Sequence, residues 1–147
     1  MKAADLDSLL AAIPFSAPLG LRASAEAGKP VQVRMAFTKL ITNYIGTTHA
    51  GALFTLAEAA AGIAAHRLVE ELGGIVLLKE ATVRFARRAE SDLTATASLA
   101  PQEAAPARAA FERERRAEAS VKVAVADAGG NCVLEGSFVY ALRPRKS

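Results

Sequence analysis

A chain of 147 residues, 52% hydrophobic and 22% charged, has the size of one domain and an apolar content that excludes a disordered polymer. Its one cysteine, Cys132, excludes an internal disulfide and a zinc site of several thiolates, so the cytoplasm is the expected location. The formal net charge is +3, but acidic and basic residues interleave, as over 112–118, and no unopposed basic stripe for nucleic acid is visible.

Asp5 or Asp7 is placed to cap a short helix that runs to Ile13 and is closed by Pro14. Those acids also stand where a secretory signal wants positive charge. No stretch reads as the roughly 20 continuous apolar residues of a membrane span, so no membrane partner is expected. Strands are predicted over 21–27 and 31–37 around a Gly28-Lys29-Pro30 turn, with Val31, Val33, Met35 and Phe37 on one face. A polar loop over 42–49 precedes a long helix over 50–71 that ends at Gly73-Gly74. Strands over 75–87, 93–100, 119–127 and 132–142 follow. A connection over 101–116 carries a short helix after Pro106, and 128–131 forms a hairpin turn. The whole chain, 1–147, reads as a single domain, with a helical extension over 1–20, a core over 21–142 and a basic tail over 143–147.

Alanine supplies about a quarter of the residues and aromatics only 5%. A core of such small side chains must bring backbones close together or borrow apolar surface from a second chain, so a homo-oligomer is expected. The long helix is apolar or small on almost every side, which predicts burial all round. The expected fold is therefore α+β, a curved antiparallel sheet of five to six strands wrapped around one long central helix.

Glu58 is the one ionisable side chain in that apolar stretch. Burial raises the pKa of a carboxyl, and such a group is a candidate general base or nucleophile. It is also open to a purely structural role, solvated at a gap in the sheet or paired with an arginine such as Arg84. The loop before the helix collects Asn43 and His49 at a helix N-terminus, where the N–H groups of Ala50 and Gly51 can polarise a carbonyl oxygen. His49 is also a candidate cap of the helix. His49 and Glu58 lie nine positions apart, roughly 13 Å along a regular helix, so both cannot grip one reacting atom within one chain. A two-fold pair of chains solves this by setting the helix start of one opposite Glu58 of the other. His66 suits the negative end of the helix dipole, and Cys132, in line with Leu134, Phe138 and Tyr140, is expected to be a buried thiol.

The stretch over 43–62, NYIGTTHAGALFTLAEAAAG, resembles the signature N-x-x-G-x-x-H-G-G-x-x-x-x-L-x-D of hotdog-fold thioesterases of the phenylacetate-pathway type, in the bacterial branch with alanine after the histidine and glutamate as the acid. The resemblance extends over 82–97 and 123–130. It implies a hotdog fold and an acyl-coenzyme A thioesterase working without cofactor or metal as a homodimer, or as a dimer of dimers, with coenzyme A as part of the substrate. It implies Glu58 as the catalytic carboxylate, the N–H of Ala50 or Gly51 on the thioester carbonyl, and Asn43 and His49 orienting the reactants from the partner chain. Tyr44 is a candidate wall of the acyl pocket. Thr55 and Thr82 are candidates for the water-orienting hydroxyl that relatives carry after the helix and that Leu77, Leu78 and Lys79 do not supply. Arg84, Arg87 and Arg88, with Arg143, Arg145 and Lys146, are candidate phosphate contacts. The alternatives are an acyl-thioester binding protein without catalysis and a hotdog dehydratase, against which the nine-residue spacing speaks.

Overall fold

The computed structural model describes residues 3–146; Met1, Lys2 and Ser147, which the expected extension and tail include, lie outside it. Six strands form one antiparallel sheet: β1 (Arg22–Ser24), β2 (Val31–Met35), β3 (Gly74–Phe85), β4 (Leu93–Ser98), β5 (Ala117–Ala126) and β6 (Cys132–Pro144), in the order β1-β2-β4-β5-β6-β3. The long helix α2 (Ala50–His66) packs against the inner face. Period-two alternation explains the match: Val31, Val33 and Met35 of β2, Leu93, Ala95 and Ala97 of β4 and Val121, Val123 and Val125 of β5 are buried, while their neighbours face out. Leu56, Ala57, Ala60, Ala61, Ala64 and Ala65 form the complementary stripe of α2. The small side chains let helix and sheet approach closely, which is where much of the alanine is used.

Several boundaries differ from expectation, each for a physical reason. Asp5 and Asp7 lie inside α1 (Ala3–Ala11) and so are not its cap. The Asp7 carboxylate instead accepts the Ala23 N–H at 2.7 Å and faces Arg22, fastening α1 to the edge strand β1. Helix α2 stops at His66, because the chain turns to bury Val69 and enters β3 through Gly74, where a Cβ would stand 2.5 Å from Val69 Cβ. Helix α3 spans Pro101–Glu114, with Pro106 inside it rather than before it. Gln102 and Pro106 are both exposed, so the carbonyl that loses its donor lies on the solvent side. Cys132 is exposed. Val125 pairs with Leu134 and Ala126 with Cys132, leaving Val133 as an extra residue that turns both Val133 and Leu134 inward and Cys132 out.

Helix α2 is not buried all round. Gly51 is exposed, and Thr55, Glu58, Gly62 and His66 form a mostly buried but open stripe below it on the side that the sheet leaves open, which α1 borders.

Candidate active site

The loop ahead of α2 is built by its own side chains. Asn43 Oδ1 accepts the N–H groups of Ile45 and Thr47, each at 3.1 Å, and its Nδ2 donates to Thr47 Oγ1 at 2.8 Å. Gly46, at φ 80°, takes the left-handed turn this compact loop needs. Thr48 anchors the loop to Ala89 through its N–H and its hydroxyl. Asn43 is thus committed to shaping the loop. His49 caps the helix, its Nδ1 accepting the Gly51 N–H at 2.8 Å, which leaves the ring proton on Nε2. The Gly51 donor is therefore engaged, and the exposed Ala50 N–H is the donor at this helix start without a partner among the described residues.

More than two turns further on, Glu58 is largely withdrawn from water and its carboxyl is pushed above the ordinary carboxylate range by that burial, against the opposing pull of a hydrogen bond from Tyr140. The Tyr140 hydroxyl, carried by β6, lies 3.1 Å from Glu58 Oε1 and 3.1 Å from the Glu58 carbonyl oxygen. Gly62, one turn below, leaves the carboxyl uncovered: a Cβ there would stand 3.6 Å from Oε1 and 3.5 Å from the Tyr140 oxygen. Thr55, one turn above, donates back to the Gly51 carbonyl at 2.8 Å.

Glu58 opens on a cleft of about 1030 Å³ that follows α2 from Phe54 to His66 and on to Glu70 and Glu71. Its walls are apolar, with Leu6, Leu10 and Ile13 from the N-terminal segment facing Ile75, Val76 and Leu78 from the start of β3. His66, which faces Glu70 at 3.4 Å, and Arg67, Glu71 and Arg145 also line the cleft. Among the described residues no three His, Cys, Asp or Glu side chains gather to hold a metal ion, and no helix is long and apolar enough to cross a membrane.

The other sequence candidates lie elsewhere on the chain. Thr82 and Arg84 alternate with the inward residues of β3 and so stand on the outer face of the sheet, opposite Ser137 and Glu135; Arg84 pairs with Glu135 at 3.2 Å, not with Glu58. Arg87 and Arg88 are exposed beyond the end of β3, and Tyr44 is 98% exposed on its loop. Within one chain the structure brings Thr55 to Glu58 and leaves Asn43, Tyr44, His49 and Ala50 at the far end of two helical turns. Sequence reading missed Tyr140 and the N-terminal wall of the cleft. A tyrosine at an inward strand position carries a signal, since a buried phenol needs a hydrogen-bond partner, but nothing in the sequence names that partner.

The family whose profile matches this chain, over residues 7–142, is described as a domain of unknown function (DUF4442). No curated protein matches in sequence. Among solved structures, a Pseudomonas aeruginosa protein of unknown function called a probable thioesterase is 29% identical, with TM-score 0.84 over 99% of this chain and 97% of its own. A Haemophilus influenzae thioesterase is 16% identical, with TM-score 0.81 over 98% of this chain and 92% of its own. A Bacillus halodurans protein solved with CoA is 20% identical, with TM-score 0.62 over 76% of this chain and 66% of its own. The α+β architecture is thus the hotdog fold that structures called thioesterases share.

Proposed function

We propose that this chain, which belongs to the DUF4442 family, hydrolyses acyl-coenzyme A thioesters at a site completed by a second copy of itself, with Glu58 as general base or nucleophile. The observation that carries the reading is Glu58 itself, a carboxyl with a raised pKa, held by one hydroxyl and opening on a long apolar cleft. A carboxyl whose pKa is lifted toward neutrality is better matched to taking a proton from water than an ordinary surface carboxylate. In the general-base form Glu58 removes a proton from water as the water oxygen bonds to the thioester carbonyl carbon. The carbon–sulfur bond then breaks, and the thiolate leaves with the proton that Glu58 returns. In the nucleophilic form a Glu58 oxygen bonds to the carbonyl carbon, the carbon–sulfur bond breaks and the thiolate leaves; water then opens the resulting anhydride, which restores the Glu58 carboxylate and frees the acid, and the proton released passes to the thiolate. The acyl chain suits the apolar walls, and the likeness to a structure solved with CoA supports coenzyme A as the carrier.

A second chain is needed because the free Ala50 N–H lies more than two turns from Glu58. The edge strand β3 supports the pairing. It is 12 residues long, without a strand partner on its outer side among the described residues, and exposes Leu77 and Phe85. Natural proteins cover, bulge or charge such an edge; pairing with a second copy covers this one beyond its bulge at Leu78–Glu80. Leu40, Tyr44 and Ile45 add exposed apolar surface beside the helix start. In the dimer, Asn43 holds the loop, His49 holds the cap, and Ala50 of one chain meets the carbonyl that Glu58 of the other serves. No metal or cofactor enters this chemistry. Arg87, Arg88, Arg145 and Lys146 are exposed basic groups to take the phosphates of the carrier, and the single-cysteine composition fits the cytoplasm.

The test is steady-state thiol release from short, medium, long and aromatic acyl-coenzyme A thioesters. Saturable turnover of at least one supports the reading. Tight binding of the panel without turnover replaces it with a binding protein, a reading favoured by the outward position of Thr82, which leaves the open side of Glu58 without a hydroxyl from that strand.

A further inference from the structure

Tyr140 is the one side chain on another element that hydrogen-bonds Glu58 among the described residues. It is 1% exposed, and burial and the adjacent carboxyl push its phenol well above the usual tyrosine range, so it stays protonated and remains a donor. A phenol has one proton, and here it faces two acceptors of the same residue, Glu58 Oε1 and the Glu58 carbonyl, each at 3.1 Å. With Glu58 ionised, the phenol donates to Oε1. With Glu58 protonated on Oε1, the carboxyl O–H donates to the phenol oxygen, and the phenol proton turns to the carbonyl. Neither state leaves a buried polar atom without a partner, which would otherwise cost about 1–3 kcal/mol.

We propose that Tyr140 is a positioning residue for Glu58: it ties Oε1 to β6, turns Oε2 to the cleft as the oxygen that meets water or substrate, and keeps the carboxyl hydrogen-bonded through both protonation states. This rests on the reading of Glu58 as the reacting carboxyl. Gly62 supports it, since the place beside the tied oxygen holds no side chain and the pair is reached from the cleft. Among the described residues no other side chain hydrogen-bonds the carboxyl, and the nearby Thr55 hydroxyl donates to the Gly51 carbonyl instead. The inward faces of β2, β4 and β5 bring only apolar side chains to α2. On the cleft side α1 brings Leu6, Leu9 and Leu10, and β3 brings Ile75, Val76 and Leu78. The remaining titratable or charged groups that line the cleft are His66 and Arg67, two turns along α2 from Glu58, with Glu70, Glu71 and Arg145.

The experiment is a carboxyl-carbon NMR titration of the full chain, with the Glu58 signal identified by its loss in Glu58→Gln, run on wild type and Tyr140→Phe. It is paired with the pH dependence of kcat/KM for the best thioester. Removing the phenol removes a hydrogen bond that favours the ionised carboxyl, so the Glu58 midpoint and the acid limb of kcat/KM both move to higher pH. A limb displaced by one pH unit lowers kcat/KM tenfold on its acid side, while KM stays within about twofold. A thermal melt of Tyr140→Phe confirms that the shifts are read on folded protein. An unmoved midpoint in folded Tyr140→Phe overturns the proposal whether or not wild type turns over. A moved midpoint with no hydrolysis by wild type overturns the hydrolase reading and supports the tie between Tyr140 and Glu58.

Discussion

Gly62→Ala sets stability against activity at one atom. Glycine inside a helix costs about 0.8–1 kcal/mol relative to alanine, and Gly62 lies in the body of α2 with room for a Cβ, whose nearest contacts would be ordinary ones at 3.5 and 3.6 Å. The variant should therefore be more stable by about 1 kcal/mol, which for a chain of this size raises the melting midpoint by about 2–4 °C. The atoms it touches are the Tyr140 hydroxyl and Glu58 Oε1, the tied oxygen, so the methyl narrows the cleft beside the carboxyl and crowds what approaches its other oxygen. Displacing water or substrate there by on the order of 1 Å should cost between about 10- and 100-fold in kcat/KM. The assay pairs a thermal melt by circular dichroism with thiol release from the best acyl thioester. A lower melting midpoint would refute the free space beside Glu58, and an unchanged kcat/KM would refute the reason given for the glycine.

Glu58→Gln should be more stable than wild type at neutral pH. A carboxyl whose pKa is raised on folding contributes stability that is present below the ordinary value of 4.5 and is lost as pH rises through the folded value. The advantage of the variant should vanish by about pH 4 in urea melts, and a difference independent of pH would contradict the burial of the charge. Asp7→Ala should lose about 1–2 kcal/mol by orphaning the Ala23 N–H, measured as a lower urea midpoint; no change would mean that α1 is not fastened there. Gly136→Ala should cost at least about 1–3 kcal/mol, because its Cβ would stand 2.5 Å from the Thr82 carbonyl oxygen and force β3 from β6. Ala59→Phe, on the wall of the cleft, should shift acyl preference toward shorter chains, read from kcat/KM across the panel, and an unaltered ranking would remove the acyl chain from the cleft.

The fold was legible because period-two alternation and an uninterrupted small-residue helix are local patterns, and Val31, Val33 and Met35 lie inward as that alternation requires. Glu58 was legible for the same reason, as the only ionisable group in its stretch. What escaped was set by tertiary contact. Pro106 read as a helix start because its solvent-side position could not be known, and Cys132 read as buried because the extra residue Val133 could not be foreseen. Thr82 and Arg84 were drawn toward Glu58 by their place after the helix, and the alternation of β3 sets them on the other side of the sheet. The partnership of Tyr140 with Glu58 joins positions 82 residues apart, a distance no local pattern spans.

The most direct test compares wild type with Glu58→Gln on the thioester that wild type cleaves best, both checked by thermal melt. Loss of the reacting carboxyl should lower kcat by about 10²–10⁴-fold while leaving the fold intact. A folded Glu58→Gln protein that releases thiol as fast as wild type would contradict the assignment of Glu58 as the reacting group.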